Sequence, residues 1–137
     1  MSLKEAALNY HIGGKIDIAP SKPMNSAYDL ALAYSPGVAE PCLAIAKNNE
    51  LSFTYTNRAN LVAVVSDGSA VLGLGDIGAR ASKPVMEGKA CLFKKFANVN
   101  AYDIEIDAHS VEEIVAFCKA RAPTGGGLKL EDIAAPK

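Results

Sequence analysis

Residues 60–98 constrain the fold more than any other stretch, because they combine two apolar runs, a glycine-rich loop and a long helical pattern. The apolar runs are rich in β-branched residues and flank Asp67-Gly68, a dipeptide that favours a tight turn with positive φ. We therefore predict a β-hairpin over residues 60–74. After the loop GLGDIG we predict a helix that begins at about Lys83, with Pro84 in its first turn, where a missing N–H costs nothing.

That helix carries a lysine in an unusual place. A rotation of 100° per residue puts Lys89 at about 40°, in the middle of an apolar face. The face is formed by Val85, Met86, Leu92, Phe93 and Phe96. An ammonium in such surroundings loses hydration, so we expect its pKa to fall toward the range of a general base. The alternative is a lysine that reaches solvent or a salt bridge at the end of the stripe.

The order of patterns after residue 60 predicts an α/β fold, a three-layer domain with a mainly parallel sheet flanked by helices. The hairpin and N-terminal helices add to it. Residues 102–107 alternate apolar and acidic side chains, as in a strand, and residues 128–130 suggest another. Ser110 and Glu113 predict a capping box that opens a helix ended by Pro123. We expect residues 1–137 to form a single domain.

The N-terminal third contains shorter patterns. Residues 3–10 suggest an amphipathic helix, residues 29–33 a helical turn, and residues 51–58 a strand or turn. Ser35-Pro36 predicts a second helix, with Ser as N-cap, that runs to Asn48-Asn49. Tyr34 stands where this helix begins, beside N–H groups suited to a carboxylate or phosphate. A packing role for Tyr34 is the alternative.

Composition excludes several classes of function. The net charge is −1 and no run of Lys or Arg exists, which argues against nucleic acid as a partner. No apolar run reaches membrane length, and no signal peptide heads the chain. Cys42, Cys91 and Cys118 lie far apart without metal-site spacing, so we expect buried free thiols in a reducing compartment. These features predict a soluble cytoplasmic protein.

Two further patterns concern ligands. Adjacent Glu131 and Asp132 at a strand end could give two oxygen ligands to Mg²⁺ or Mn²⁺, although adjacent surface acids are common. Gly73, Gly75 and Gly78 match G-x-G-x-x-G, but the predicted hairpin, the late helix start and the distant Asp107 do not fit a dinucleotide site. We expect no cofactor-binding residue there; the glycines should let the loop turn tightly beside a ligand or the neighbouring helix.

Four stretches together resemble the malic enzyme family, in particular the amino-terminal, substrate-side domain of its small bacterial type. They are YSPGVAEPC at 34–42, NLVAVVSDGSAVLGLGDIGARASKPVMEGKACLFKKFA at 60–97, YDIEID at 102–107 and PTGGGLKLEDIAAP at 123–136. The long central match is the most specific, and the resemblance extends from about Lys15 onward.

The resemblance implies an activity and roles for four residues. The family oxidises malate to pyruvate and carbon dioxide with NAD or NADP. Lys89 would bind substrate and act as general base, and Tyr34 as general acid. Glu131 and Asp132 would be two of three carboxylates for Mg²⁺ or Mn²⁺, which acts as a Lewis acid on malate. The third carboxylate and the dinucleotide-binding domain would lie beyond this chain, so we expect this first domain alone to be inactive. The resemblance also implies a homodimer.

The sequence also departs from the family. Gly125 stands where relatives usually carry an aromatic residue, Lys129 where they often carry Asn, and Ala70 where larger animal-type relatives carry an arginine. Three other functions remain open. They are a malolactic-type enzyme that releases lactate, a non-catalytic dimerisation module, and a phosphate or dinucleotide site at Gly73 to Gly78.

Overall fold

The computed structural model of the protein describes residues 1–134, which form two compact units. The first contains Met1–Ile16 and the chain from Asn60 onward, and the second contains Asp17–Ala59. The helices are α1 (Leu3–Tyr10), α2 (Ala27–Ala33), α3 (Ala39–Lys47), α4 (Ser52–Tyr55), α5 (Ala79–Ala97) and α6 (Val111–Arg121). The strands are β1 (Leu61–Ser66), β2 (Asn100–Glu105) and β3 (Gly127–Leu130). Short 3-10 turns lie at Asn49–Leu51, Asn57–Asn60 and Ala122–Thr124.

The first unit is built on a three-stranded parallel sheet with the order β2-β1-β3. Helix α5 connects β1 to β2, and α6 connects β2 to β3, so a helix leads from each strand to the next parallel strand in the chain. Val65 of the central strand lies opposite Ile104 on one side and Leu130 on the other. The carboxyl ends of all three strands therefore meet at one edge of the sheet.

Helices cover both faces of this sheet, which gives the predicted three-layer α/β arrangement. On one face Val64 packs with Met86 and Ala90 of α5. On the other face Ala63 and Val65 pack with Ile114 of α6. Because successive residues of a strand point to opposite faces, the apolar run of β1 is buried on both sides.

The predicted hairpin around Asp67-Gly68 is wrong. Only its first half is a strand; Val71 begins a tight turn and forms an isolated antiparallel bridge with Gly75. The loop instead folds back on the helix start, because the N–H groups of Ile77 and Gly78 both donate to the Gly68 carbonyl. Helix α5 consequently begins at Ala79, earlier than predicted, and Pro84 lies inside it.

The second unit contains α2, α3 and α4. Ser26 and Asp29 form a capping box that starts α2. The predicted start of α3 at Ser35-Pro36 is wrong, since Val38 precedes the helix without a side-chain cap. The N–H groups of Gly37 and Val38 donate to the carbonyls of Ala31 and Tyr34, so they are not free for an anion. Residues 52–55 are helical, so the strand considered for residues 51–58 is also wrong.

Three other predictions have clear outcomes. The helix at Leu3–Tyr10 and the α6 start, where the Ser110 hydroxyl accepts the Glu113 N–H, are confirmed. The expectation of buried thiols is wrong for Cys42, which is exposed, whereas Cys91 and Cys118 are half-buried. Within residues 1–134 no helix is long and apolar enough to cross a membrane. That residues 1–137 form a single domain stays a prediction.

Candidate active site

Lys89 projects from α5 at the border of its buried face. That face centres on Met86, which is fully buried, and Ala90, while Leu92 and Phe96 are exposed. The face predicted from a rotation of 100° per residue lies too far toward Leu92, because helix periodicity does not show which part of a broad apolar stripe contacts the sheet. The Lys89 side chain is 31% exposed. It therefore stands beside the core rather than in it.

Glu131 and Asp132 directly follow β3. The Glu131 N–H donates to the Val65 carbonyl, so the sheet ladder continues one residue beyond the strand. Asp132 then adopts φ +53°, a left-handed conformation that is uncommon outside glycine. Its carbonyl accepts the N–H of Ala70 from the loop after β1. The two acids thus lie where the central and edge strands end.

The structure brings Lys89 and both acids together. The Lys89 amine lies 2.6 Å from Glu131 Oε2 and 3.5 Å from Asp132 Oδ1. Burial acts to lower the pKa of Lys89, but the hydrogen bond and charges of Glu131 and Asp132 outweigh burial and raise the pKa above its usual range. The predicted fall of the Lys89 pKa is therefore wrong for the chain as it stands. The amine is a charged partner of the acidic pair.

The two carboxylates suit part of the shell of a hard divalent cation. Both already converge on one positive charge, the Lys89 ammonium, and carboxylate oxygens are preferred ligands of Mg²⁺ and Mn²⁺. Among residues 1–134 no group of three His, Cys, Asp or Glu side chains could hold a metal ion. Any further ligand would have to come from outside the described residues.

A groove of about 330 Å³ also touches the acidic pair, on the side of α6. Its other lining residues are apolar, namely Val111, Ile114, Val115, Leu130 and Ile133. Lys89 does not line this groove. The Lys89 side of the pair brings one amine and two carboxylates together, so we place the candidate site there instead.

Tyr34 belongs to the second unit. It follows α2, its side chain is 75% exposed, and its N–H donates to the Leu30 carbonyl. This exposure does not support the alternative of a packing role within that unit. The role of Tyr34 as an acid stays a prediction.

The glycine-rich loop requires its glycines for conformation rather than for close contact. Gly73, Gly75 and Gly78 all have positive φ, and a Cβ on any of them would meet no atom within 4 Å. Tight turning is therefore confirmed, but packing of these glycines against the neighbouring helix is not. A strand does precede the loop and α5 follows Gly78 at once, contrary to two of the reasons for rejecting a dinucleotide site. The Gly78 N–H, however, already donates to Gly68.

Two groups of residues escaped the sequence reasoning. Ser69, whose hydroxyl donates to Asp67, accepts the Ala134 N–H of the segment after Asp132, a role that the predicted hairpin turn concealed. Lys83 of α5 bridges Asp103 and Glu105 of β2, at 2.7 and 3.5 Å. The sequence shows the alternation of acidic residues in β2. It does not show that the acidic side of this strand is buried against a helix, so the contact with Lys83 could not be predicted.

Comparison with known proteins gives a consistent result. The family model described as malic enzyme, N-terminal domain, matches residues 13–137. The chain is 63% identical over 124 residues to an NAD-dependent malic enzyme of Rhizobium meliloti, covering 90% of this chain and 16% of that protein. It is 56% identical over 138 residues to an NADP-dependent malic enzyme of Haemophilus influenzae, covering 98% of this chain and 18% of that protein.

A solved structure agrees with these relatives. The malic enzyme from Pyrococcus horikoshii superposes with a TM-score of 0.97 at 49% identity, over 98% of this chain and 32% of that one. The chain therefore spans less than a fifth of the two curated relatives and about a third of the solved structure.

Proposed function

Since the chain belongs to the malic enzyme family through its N-terminal domain, we propose that it supplies the substrate-side half of an active site for oxidative decarboxylation of malate. The products would be pyruvate and carbon dioxide, and the hydride acceptor NAD or NADP. The observation that carries the proposal is the contact of the Lys89 amine with both Glu131 and Asp132. It unites in one place a base candidate and two metal-ligand candidates.

Each residue would have a defined task. Glu131 and Asp132 would hold Mg²⁺ or Mn²⁺, which when bound supplies a Lewis acid for the substrate oxygens. A divalent cation on the pair would offset the two negative charges that raise the pKa of Lys89. Lys89 would then bind substrate and, as the free amine, take the proton of its C2 hydroxyl as hydride leaves. Tyr34 would return a proton to carbon after carbon dioxide departs. These assignments follow the family motif at residues 34, 89, 131 and 132.

NAD or NADP would be bound by a part of the longer protein outside these 137 residues. The length of the relatives supports this, because they extend far beyond the matched portion. We therefore propose that the chain alone has negligible NAD(P)-dependent turnover. Measurable turnover by the purified chain would contradict this.

We also propose a homodimer in a reducing, cytoplasmic location. The helices of the second unit contain no buried residue, and apolar side chains such as Tyr28, Leu32 and Leu43 are more than half exposed. Exposed apolar patches of this kind mark association surfaces. The three cysteines are free, which suits a reducing compartment.

A chimera would test the activity. Residues 1–137 would replace the matching portion of the Pyrococcus horikoshii enzyme, and malate-dependent reduction of NAD or NADP would be followed together with product analysis. Lys89→Ala should lower kcat by roughly 10²–10⁴-fold, the usual range for loss of a general base. Lys95→Ala is the matched control, since its amine lies over the Phe96 ring, 5.6 Å from the centroid, and contacts neither acid.

The outcomes separate the alternatives. Pyruvate with accumulation of reduced cofactor supports the proposal, whereas lactate without it would identify the malolactic-type reaction. Equal activity of the Lys89→Ala and unsubstituted chimeras would contradict the role of Lys89.

A further inference from the structure

The loop after β1 is tied by hydrogen bonds to the segment that follows the acidic pair. The Ser66 hydroxyl, fully buried at the end of the central strand, accepts the Gly68 N–H at 3.0 Å. The neighbouring Asp67 is only 6% exposed. Its Oδ1 accepts both the N–H and the hydroxyl of Ser69, at 3.0 and 2.6 Å. The Ser69 hydroxyl is therefore held in one orientation.

That fixed hydroxyl contacts the segment carrying the two acids. Its oxygen accepts the Ala134 N–H at 2.7 Å, two residues after Asp132. The Ala70 N–H donates to the Asp132 carbonyl at 3.1 Å. The backbone at Asp132 is thus held on both sides, from the sheet ladder at Glu131 and from the loop.

We call these two contacts, Ser69 to Ala134 and Ala70 to Asp132, the clamp. The clamp has a specific consequence because Asp132 has φ +53°. A non-glycine residue in the left-handed region is disfavoured and persists only where its surroundings enforce it. Glu131 and Asp132 are adjacent in sequence, so in an extended strand their side chains would point to opposite faces. The left-handed residue turns the chain, and both carboxylates reach the same amine.

We propose that Ser69 is a positioning residue for the Glu131-Asp132 pair: its hydroxyl, oriented by Asp67, fixes the turn at Asp132 and thereby the affinity of both carboxylates for one divalent cation. The cation part of this inference rests on the proposed function. Outer partners that orient ligands commonly change metal affinity by 10–100-fold.

Nuclear magnetic resonance of the 137-residue chain tests the turn without any activity assay. In Ser69→Ala, exchange of the Ala134 amide with solvent should accelerate at least about 10-fold, since a hydrogen bond of about 1.4 kcal/mol is lost. The strong intraresidue amide-to-Hα contact that marks positive φ at Asp132 should weaken. Ser69→Thr keeps the hydroxyl and should retain both signals.

Ser82→Ala is the matched control, because Ser82 is fully buried and its hydroxyl donates to the Ala79 carbonyl within α5. It should leave the signals of residues 131–134 unchanged. An unaltered Asp132 and Ala134 in a folded Ser69→Ala chain would overturn the proposal. Should that variant not fold, rapid exchange of the Ala134 amide in the unsubstituted chain, equal to that of exposed amides, would overturn it as well.

Mn²⁺ alone is the probe for the cation. Titrated into the unsubstituted chain, it should broaden the amide signals of Glu131 and Asp132 before others. The concentration for half-broadening should rise about 10-fold in Ser69→Ala and return in Ser69→Thr. Equal Mn²⁺ affinity in all three chains would overturn the positioning role. Absence of any broadening near residues 131–132 would instead contradict the metal assignment of the proposed function, while the amide measurements decide the turn.

Discussion

Asp103, Glu105 and Lys83 form a charged group between β2 and α5 in which acid outnumbers base. The two carboxylates are largely buried, and Lys83 reaches both. Burial, reinforced by the hydrogen bond and charge of Asp103, raises the pKa of Glu105 to about 7. Burial also acts to raise the pKa of Asp103, but hydrogen bonds from Glu105 and Lys83 lower it overall. Between its ordinary pKa of 4.5 and about 7, Glu105 therefore holds a proton in the folded protein that it would release on unfolding.

This arrangement predicts how stability depends on pH. Glu105 stabilises the fold fully below its ordinary pKa of 4.5, and that contribution is lost as pH rises through about 7. Asp103 acts in the opposite sense, since its stabilisation is lost as pH falls through its lowered pKa. Glu105→Gln should therefore raise the free energy of unfolding at pH 8 by about 1–2 kcal/mol, allowing for solvent screening, and by much less at pH 5.

Urea unfolding at the two pH values measures the effect. Glu112→Gln serves as control, because Glu112 is an exposed residue of α6. A gain for Glu105→Gln that is the same at pH 5 and pH 8 would show that Glu105 does not titrate in this range.

A second prediction concerns Gly68. Its φ is +72°, and a Cβ there would lie 2.0 Å from the Gly78 carbonyl oxygen. Gly68→Ala should cost about 2–5 kcal/mol, as the sum of left-handed strain and steric overlap. Gly73→Ala has similar φ, +81°, but open space, and should cost only about 1–2 kcal/mol. Thermal unfolding of both variants separates the left-handed strain, common to both, from the steric overlap at Gly68. Equal losses of stability would mean that the loop does not approach Gly68 closely.

At the scale of elements, the sequence identified which segments are helices and strands better than how they meet. Apolar alternation located β2, and the Ser110 cap located α6. The prediction of a second hairpin strand was wrong because the β-branched Val71 and its apolar neighbours are compatible with either a strand or a folded loop. The predicted buried face of α5 was wrong for a similar reason, since several rotations of the helix about its axis would bury an apolar stripe.

The rotation of α5 can be tested directly. Met86→Ala should destabilise the fold by about 2–5 kcal/mol, because Met86 is fully buried against Val64. Leu92→Ala should cost less than about 1 kcal/mol, because Leu92 is 55% exposed. Denaturant unfolding measures both. A larger loss of stability for Leu92→Ala than for Met86→Ala would mean that the face predicted from the sequence, centred nearer Leu92, is the one that packs on the sheet.

At the scale of the whole molecule, the sequence predicted the α/β class, and the family resemblance supplied the pairing of Lys89 with Glu131 and Asp132. Burial alone singled out Lys89 but gave its pKa the wrong direction, because spacing along one helix cannot reveal a carboxylate 42 residues away. The clamp from Ser69 to Ala134 joins residues 65 positions apart and was equally invisible.

The proposed dimer is also a prediction at this scale. Sedimentation of the chain should give a dimer that weakens when an exposed apolar residue becomes charged, as in Leu8→Lys of α1 or Tyr28→Lys of α2. Both side chains are more than 60% exposed, so the fold should persist. Leu72→Lys is the control, since Leu72 is 93% exposed in the glycine-rich loop. A strict monomer at high concentration would argue against association.

The two acids directly follow β3, which comes third in chain order among the strands of residues 1–134. A ribosome releases Lys89 well before Glu131, so for part of its synthesis the nascent chain has an amine without its counter-charges. Parallel pairing of β3 beside β1 also spans a long stretch of chain and is slow to close. Lys89 therefore gains both acidic partners only when β3 lies beside β1.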